Sequence, residues 1–435
     1  MTVASVARHP VAVWVVTRAV LLLFVLGFFT LPGPDVTTDV SVIYQGWHEI
    51  LRTGTYPLDD VTWQYPPGAA LAILAPGLLP GLGYTSAFFL LVLLCDLLVL
   101  VMLLRTDRSR AARRGAWVWV AGVPLLGPTV YARYDLMVTA VAVGALLAGV
   151  HRPRVMGALA GVGALLKVWP LLVLLGTPGG RATRRSWSAA AVTVSAALVT
   201  AAAVPGALAF LAFQRDRGTE IESLGALVFH VWRHFGWQGQ VLLNYGSVEF
   251  LGPYVPLVSA LALALSVAAL GWLAVWRVRA REFTAATPCD AAFAAVLLFT
   301  TTSRVISPQY MVWLVGLAAV CLVHRSSRML RPALLVLAAT AVTFLEFPVW
   351  FSHVVASDLP GIALLVVRNG LLVAAAVDAC RKLWRQTVTA APRPGAAKTP
   401  ADSTTAAKTP ADGPGGDAPA ATALSPEPRS DIPAT

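Results

Sequence analysis

The chain has 435 residues, 57% hydrophobic and 13% charged, with a net charge of +11 and a mean hydropathy of +0.70. Soluble domains carry about 25% charged residues, so this composition cannot coat a soluble surface and reads as a polytopic membrane protein. Nucleic-acid binding is excluded because the basic residues sit in short clusters between apolar blocks, not on one face. The four unpaired-looking cysteines (Cys95, Cys289, Cys321, Cys380) suit neither a disulfide framework nor a zinc site.

Apolar blocks able to cross or nearly cross a hydrocarbon core about 30 Å thick predict spans near 11–31, 84–104, 116–131, 135–150, 187–213, 251–276, 287–303, 309–323, 332–351 and 359–380. No convincing small-residue cleavage pattern follows the first block, which therefore reads as an uncleaved span. Block 155–176 has basic clusters on both sides. A helical hairpin entering and leaving from one face, with its tip at Lys167-Val168-Trp169-Pro170, keeps the charge parity. Pro170 is a natural helix breaker there. The predicted fold is all-α: a transmembrane helix bundle of about ten crossings plus this re-entrant hairpin.

The basic clusters around Arg105–Arg114, Arg152/Arg154, Arg181–Arg185, Arg277–Arg281, Arg325–Arg331 and Arg381–Arg385 all fall on one side of such a map. The positive-inside bias makes that side cytoplasmic, together with both termini. Residues 1–385 form the membrane domain. Residues 386–435 are rich in Pro, Ala and Thr, lack aromatics and repeat Ala-Ala-Lys-Thr-Pro-Ala-Asp, which reads as a disordered cytoplasmic tail.

The unusual polar clusters then fall on the opposite, extracytoplasmic face. Loop 32–67 carries Asp35, Asp39, Glu49, Asp59 and Asp60, and ends Gln64-Tyr65-Pro66-Pro67. Val40, Ile43, Trp47, Ile50 and Leu51 have the spacing of an amphipathic helix lying on the membrane surface. Asp39 stands at its start, where the plain alternative to chemistry is an N-cap. Tyr131-Ala132-Arg133-Tyr134-Asp135 is a short turn between spans, alternatively a salt-bridged turn. Gln214-Arg215-Asp216-Arg217-Gly218-Thr219-Glu220-Ile221-Glu222-Ser223 opens the largest outer loop, alternatively as a solvated charge run. Arg304-Val305-Ile306-Ser307-Pro308-Gln309-Tyr310 links two spans tightly, alternatively as a Ser-Pro turn.

Lys167 lies roughly halfway through the bilayer, where an unpaired ammonium costs at least about 2.5 kcal/mol and marks a functional candidate. Arg368, Asp96 and Glu346 are also intramembrane and are expected to pair and hold the bundle together. His230 and His234 are four apart but lack an adjacent glutamate base or third ligand. No metal or cofactor is expected. Without a nucleotide-binding glycine loop, the donor that fits is membrane-embedded. In a polyprenyl-phosphate sugar the lipid lies between helices, cations stabilise the phosphate, and a carboxylate serves as base for the acceptor hydroxyl.

Taken in order, Asp39…Tyr44…Gly54-Thr-Tyr56-Pro57…Tyr65-Pro66-Pro67, Arg133-Tyr134-Asp135, Lys167-Val-Trp-Pro170, Arg215-Asp-Arg217-Gly218…Glu222-Ser223 and Ser307-Pro308-Gln309-Tyr310-Met-Val-Trp313 resemble glycosyltransferase family 87 over about residues 11–385. That family has the C-type integral-membrane fold and includes actinobacterial polyprenol-phosphate-mannose-dependent α-(1→2)-mannosyltransferases. The resemblance implies inverting transfer of a hexose, mannose by analogy, from a polyprenyl-phosphate donor to a glycolipid or glycan acceptor at the outer face of the cell membrane. It implies Asp39 as general base, with Asp35 its competitor, and donor contacts from Tyr65, Arg133, Asp135, Lys167, Arg215, Arg217, Arg304, Gln309 and Tyr310. Arg304 stands where many relatives have Lys, which keeps the cation. The competing reading is a transporter or flippase of lipid-linked sugars. It is disfavoured because no internal repeat is visible.

Overall fold

The computed structural model describes residues 9–106 and 110–389, without the side chains of 110–112, 215 and 216. In chain order the helices are α1 (Pro10–Val25), α2 (Gln45–Leu51, entered through a π-helical turn Asp39–Tyr44), α3 (Ala69–Leu74), α4 (Tyr84–Thr106), α5 (Arg110–Leu125), α6 (Asp135–Gly149), α7 (Pro153–Leu166) and α8 (Arg181–Ala202). There follow α9 (Phe210–Asp216), α10 (Leu227–Trp232), α11 (Val255–Arg279), α12 (Thr287–Thr302), α13 (Tyr310–Val323), α14 (Leu330–Phe344), α15 (Phe351–Ala356) and α16 (Leu359–Thr387). Among the described residues, the helices at Tyr84–Thr106, Val255–Arg279, Leu330–Val349 and Leu359–Thr387 are long and apolar enough to cross a membrane, with shorter apolar helices packed between them. The protein is a mostly helical membrane bundle, all-α as expected but for one small sheet. From residue 390 onward, the tail read as disordered lies outside the described residues, and α16 carries helix up to Thr387.

Each predicted span coincides with a helix, but several differ in extent: block 11–31 is helical only to Val25 and block 116–131 only to Leu125. Block 187–213 is not continuous. Helix α8 stops at Ala202, and Pro205 and Gly206 break the chain before α9. Block 251–276 starts later, because residues Ser247–Leu251 form a strand. That strand belongs to a three-stranded sheet of order β1-β3-β2, with β1 Thr219–Glu220, β2 Gln240–Asn244 and β3 Ser247–Leu251. Asn244 pairs with Ser247 across a two-residue turn. Tyr245 and Gly246 both have positive φ there, as a tight primed hairpin turn requires.

The hairpin over 155–176 is present. Helix α7 rises to Leu166, Lys167 is extended, and a 3-10 segment, Trp169–Gly176, returns. A side chain at Gly157 would run into the Ser186 carbonyl, and one at Gly161 would crowd Ala190 and Thr193. Ascending numbers on both helices make α7 and α8 parallel and close-packed, with the 3-10 segment as the return leg. At the arginine-rich end, Arg277 bonds the Thr177 carbonyl at 2.8 Å and Trp276 bonds Thr387 at 2.9 Å.

Intramembrane charges are neutralised in pairs. Asp96 accepts from Trp14, Arg18, Trp119 and Tyr131, all at 2.7–2.8 Å. Arg368 pairs with Glu346 at 2.6 Å. The expected bracing is therefore real, but Asp96 is matched by Arg18 of the first helix and not by Arg368.

Candidate functional site

The turn between α5 and α6 is a hub that joins several elements. It follows a 3-10 turn, Gly127–Val130, and is buried throughout. Each of its polar side chains goes to a different element. Tyr131 donates to Asp96 at 2.8 Å, Arg133 pairs with Asp39 at 2.9 Å, and Tyr134 reaches the Leu166 carbonyl at 3.3 Å. Asp135 accepts from Lys167 Nζ and from Trp313 Nε1, both at 2.7 Å. The turn is salt-bridged, as in the plain alternative, but it is buried and its ion pairs run to other elements.

Asp39 does not cap its helix. Thr38 occupies the N-cap position with helical dihedrals and makes no side-chain cap bond. The Asp39 carboxylate instead faces Arg133, whose side chain also donates to the Val36 carbonyl at 3.0 Å. The side chain of Asp39 remains 34% exposed against 10% for Arg133, so the carboxylate is the accessible half of the pair. Its competitor Asp35 is exposed and folds back on Thr37, accepting from its amide at 2.9 Å and its hydroxyl at 2.8 Å. The buried stripe of the surface helix is Val40, Tyr44, Trp47 and Leu51. Ile50, expected on that face, is exposed, and Tyr44 replaces Ile43 as the central contact.

Lys167 projects from the hairpin tip into a cage. Besides Asp135, its ammonium lies 5.1 Å from the Tyr134 ring, 5.2 Å from Tyr65 and Trp313, and 5.7 Å from Tyr310. Aromatic faces attract a desolvated cation, which explains how this ammonium is tolerated. Asp135 Oδ2 is buried and has no partner among the described residues. Burial raises the Tyr65 hydroxyl well above its ordinary range; Asp135 and Asp39 raise it further, while Arg133 and Arg217 act to lower it. One tyrosine thus senses both carboxylates and two of the arginines.

Of the third cluster, Arg217 and Glu220 are built into and against the sheet, not solvated. Arg217 bonds Glu249 at 3.0 Å and Ser247 at 2.6 Å, and the Gly218 amide donates to Glu249 at 3.0 Å. Glu220 receives the Ile306 amide at 2.6 Å and the Ser307 hydroxyl at 2.7 Å. Its own amide donates to the Arg304 carbonyl at 3.1 Å, and Arg368 reaches the Ile306 carbonyl at 3.4 Å. The fourth cluster does contain the Ser-Pro turn of the plain reading, the Tyr310 amide donating to the Ser307 carbonyl at 3.0 Å, and Glu220 and Arg368 clamp it. Burial raises Glu222 well above the usual carboxylate range; Glu346 and Glu220 add to this, and Arg368 opposes it. Glu220→Gln keeps the shape but leaves one oxygen to serve two donors. Losing a bond to a charged acceptor should cost about 1.5–3 kcal/mol, read as a lower melting temperature of the purified protein, with Glu220→Asp recovering part of it.

Arg304 donates to the Gln214 carbonyl and, with Arg217, lines a cavity of about 440 Å³ whose remaining wall, Ser259 apart, is largely apolar and includes Val255, Pro256, Ala260 and Leu263 of α11. Leu263 is 65% exposed, so the cavity opens on the lipid-facing side of that helix. Burial lowers the Arg304 guanidinium, and the like charge of Arg217 lowers it again. A second cleft runs beside α1. Its apolar lower part (about 220 Å³) and its more polar upper part (about 290 Å³) share Phe24, Leu31 and Pro128. The upper part ends at Asp35, Val36 and Thr37, just before Asp39.

Of the sequence-predicted residues, Tyr65, Arg133, Asp135, Lys167 and Tyr310 gather around Asp39 and the cage, and Arg217 and Arg304 form the neighbouring cationic cavity. Gln309 stands at the N-cap of α13, half-buried, without a side-chain bond among the described residues. The backbone of Arg215 lies in α9; its side chain is outside the described atoms. Sequence reasoning missed Glu220, Glu249 and Trp313 as supports of the site. His230 and His234 both bond Ser357, at 2.7 Å each, and no group of residues suited to a metal occurs among those described.

The profile of glycosyltransferase family 87 matches residues 63–308. Among solved structures, the chain is similar to the crystal structure of ArnT from Cupriavidus metallidurans bound to undecaprenyl phosphate. Identity is 17% and the TM-score 0.45, over 87% of this chain and 77% of that one. No curated protein matches the sequence.

Proposed function

The chain belongs to glycosyltransferase family 87, and on that premise we propose that this membrane transferase moves a hexose, mannose by family analogy, from a polyprenyl-phosphate donor to a glycolipid hydroxyl at the extracytoplasmic face of the cell membrane. The observation that carries the donor assignment is the cavity at Arg217 and Arg304. Two buried or half-buried guanidiniums at the head of an apolar, lipid-facing groove match a phosphate on a long isoprenoid chain. Arg217 also pairs with Glu249, but it and Arg304 both line the groove, whereas Arg133 and Lys167 do not; their role here is to fix Asp39 and Asp135.

In this reading the sugar lies between the Arg217/Arg304 cavity and Asp39, over Tyr65 and Tyr310. The acceptor oxygen attacks the anomeric carbon, the bond from that carbon to the phosphate oxygen breaks, and the proton passes to Asp39. The electron pair leaves on the polyprenyl phosphate, held by the arginines. The cleft beside α1, apolar below and polar near Asp39, suits an acceptor anchored by its own acyl chain. These roles assume the charge-derived orientation, with both termini cytoplasmic.

The test is product formation by purified protein in detergent, supplied with polyprenyl-phosphate mannose and a glycolipid fraction. Arg304→Gln and Arg217→Gln should each raise the KM for the donor about tenfold or more, as loss of a charge-assisted phosphate contact predicts. An unchanged donor KM in both variants would remove the cavity from donor binding.

A further inference from the structure

At the opposite, arginine-rich end of α11 lies a second lipid-facing groove, of about 370 Å³, bounded by Trp272, Leu298, Trp384 and the side chains of Arg381 and Arg385. We propose that it is a binding site for one acidic phospholipid, an acyl chain lying in the groove and the headgroup phosphate between the two arginines.

Three observations converge on that occupant. The groove is chiefly apolar, and its walls come from three helices, α11, α12 and α16. Arg381 and Arg385 are one helical turn apart on α16, and neither makes an ion pair among the described residues. The neighbouring carboxylate Asp378 is already taken by Lys382 at 3.0 Å and faces Arg331 at 3.9 Å. Among the described residues the two arginines have no ion-pair partner, so the rim is cationic. Trp272 and Trp384 lie 6.1 Å apart at that rim, and Arg279 stands 6.0 Å over Trp384. Tryptophan and arginine at one level mark the headgroup boundary. An apolar slot beneath such a rim fits an amphiphile, whereas a soluble anion would use only the arginines.

The site also explains how α11 is held. That helix is exposed along most of its length, with Leu257, Leu261, Leu265 and Val267 facing outward, so its own protein contacts grip it weakly. A lipid bridging Trp272 to α12 and α16 fills that gap. The far end of the same helix forms the wall of the Arg217/Arg304 cavity, so occupancy here steadies that wall as well.

The full-length protein, purified in a neutral detergent, is titrated with dioleoylphosphatidylglycerol, dioleoylphosphatidylcholine or inorganic phosphate. Retained lipid is counted by native mass spectrometry and the melting temperature recorded. Phosphatidylglycerol should bind with one tight equivalent and raise the melting temperature, and phosphatidylcholine and phosphate should do neither. Arg381→Gln/Arg385→Gln should weaken that equivalent about thirtyfold, the loss of two cations near a membrane surface. Arg181→Gln/Arg184→Gln, at the same end of the bundle, should leave it intact. Equal retention of phosphatidylcholine, equal stabilisation by phosphate, or equal weakening by the control pair would each overturn the assignment. If the double variant does not fold, Trp272→Ala, which shortens the groove and keeps both arginines, should weaken retention instead; unchanged retention there overturns it too.

Discussion

Asp39→Asn should lower hexose transfer by at least about a hundredfold, the contribution of a positioned general base, while the purified protein still binds lipid-linked donor. The expectation follows from accessibility and pairing together. Asp39 is the exposed member of an ion pair whose buried member, Arg133, is anchored on the Val36 carbonyl, so the carboxylate is held at a fixed place yet reachable by an acceptor. Asparagine preserves the size and one accepting oxygen, so Arg133 stays partnered and the fold is spared. The matched control is Asp35→Asn. That carboxylate is exposed and bonded within its own turn to Thr37, and its loss should change transfer less than about threefold, within the range of surface substitutions. The assay is product formation in detergent under saturating donor. Full activity of Asp39→Asn, or an equal loss in Asp35→Asn, would displace Asp39 as the base.

The bundle was legible because hydropathy and charge both constrain it. A helix crossing lipid must satisfy its own backbone and be apolar along its length, and the arginine clusters mark the ends. Even the hairpin at Lys167 followed from charge parity alone. The small sheet was not legible by those signals, since it lies between α9 and α11, outside the apolar blocks, where neither applies; the Asn-Tyr-Gly-Ser stretch at 244–247 carried its one local mark. Within the site, the residue types were visible but their partners were not. Asp39 and Arg133 are 94 positions apart, and nothing in a linear pattern says that Arg133 meets Asp39 while Arg217, paired with Glu249, also lines a groove with Arg304. Glu220 was read within a hydrophilic run. Its burial depends on the strand pairing that places Thr219 against Phe250 and Glu220 against Glu249, a tertiary fact. The stripe of the surface helix shifted for a related reason: Tyr44 has a partner in Tyr134, 5.9 Å away, that the helix sequence does not contain.

Lys167→Met should destabilise the protein by about 3–5 kcal/mol, the cost of removing one partner from a buried ion pair and stranding the other. Asp135 would keep the Trp313 bond, but one of its oxygens already lacks a partner among the described residues, so little is left to compensate the charge. The double variant Lys167→Met/Asp135→Asn removes both charges and should recover much of the loss. A strongly non-additive cycle is therefore expected, measured as melting temperature of the purified proteins in one detergent. The same cycle separates two roles for the lysine. If the ammonium acts on Asp135 and the ring cage, the donor KM of whatever single variant survives purification should move far less than in Arg304→Gln. If instead it holds the departing phosphate, the donor KM should rise as much as in Arg304→Gln, and the stability losses of the two single variants should simply add. The four rings within 5.1–5.7 Å of Nζ leave the ammonium enclosed on the sides not taken by Asp135, and on that geometry the first outcome is the one expected.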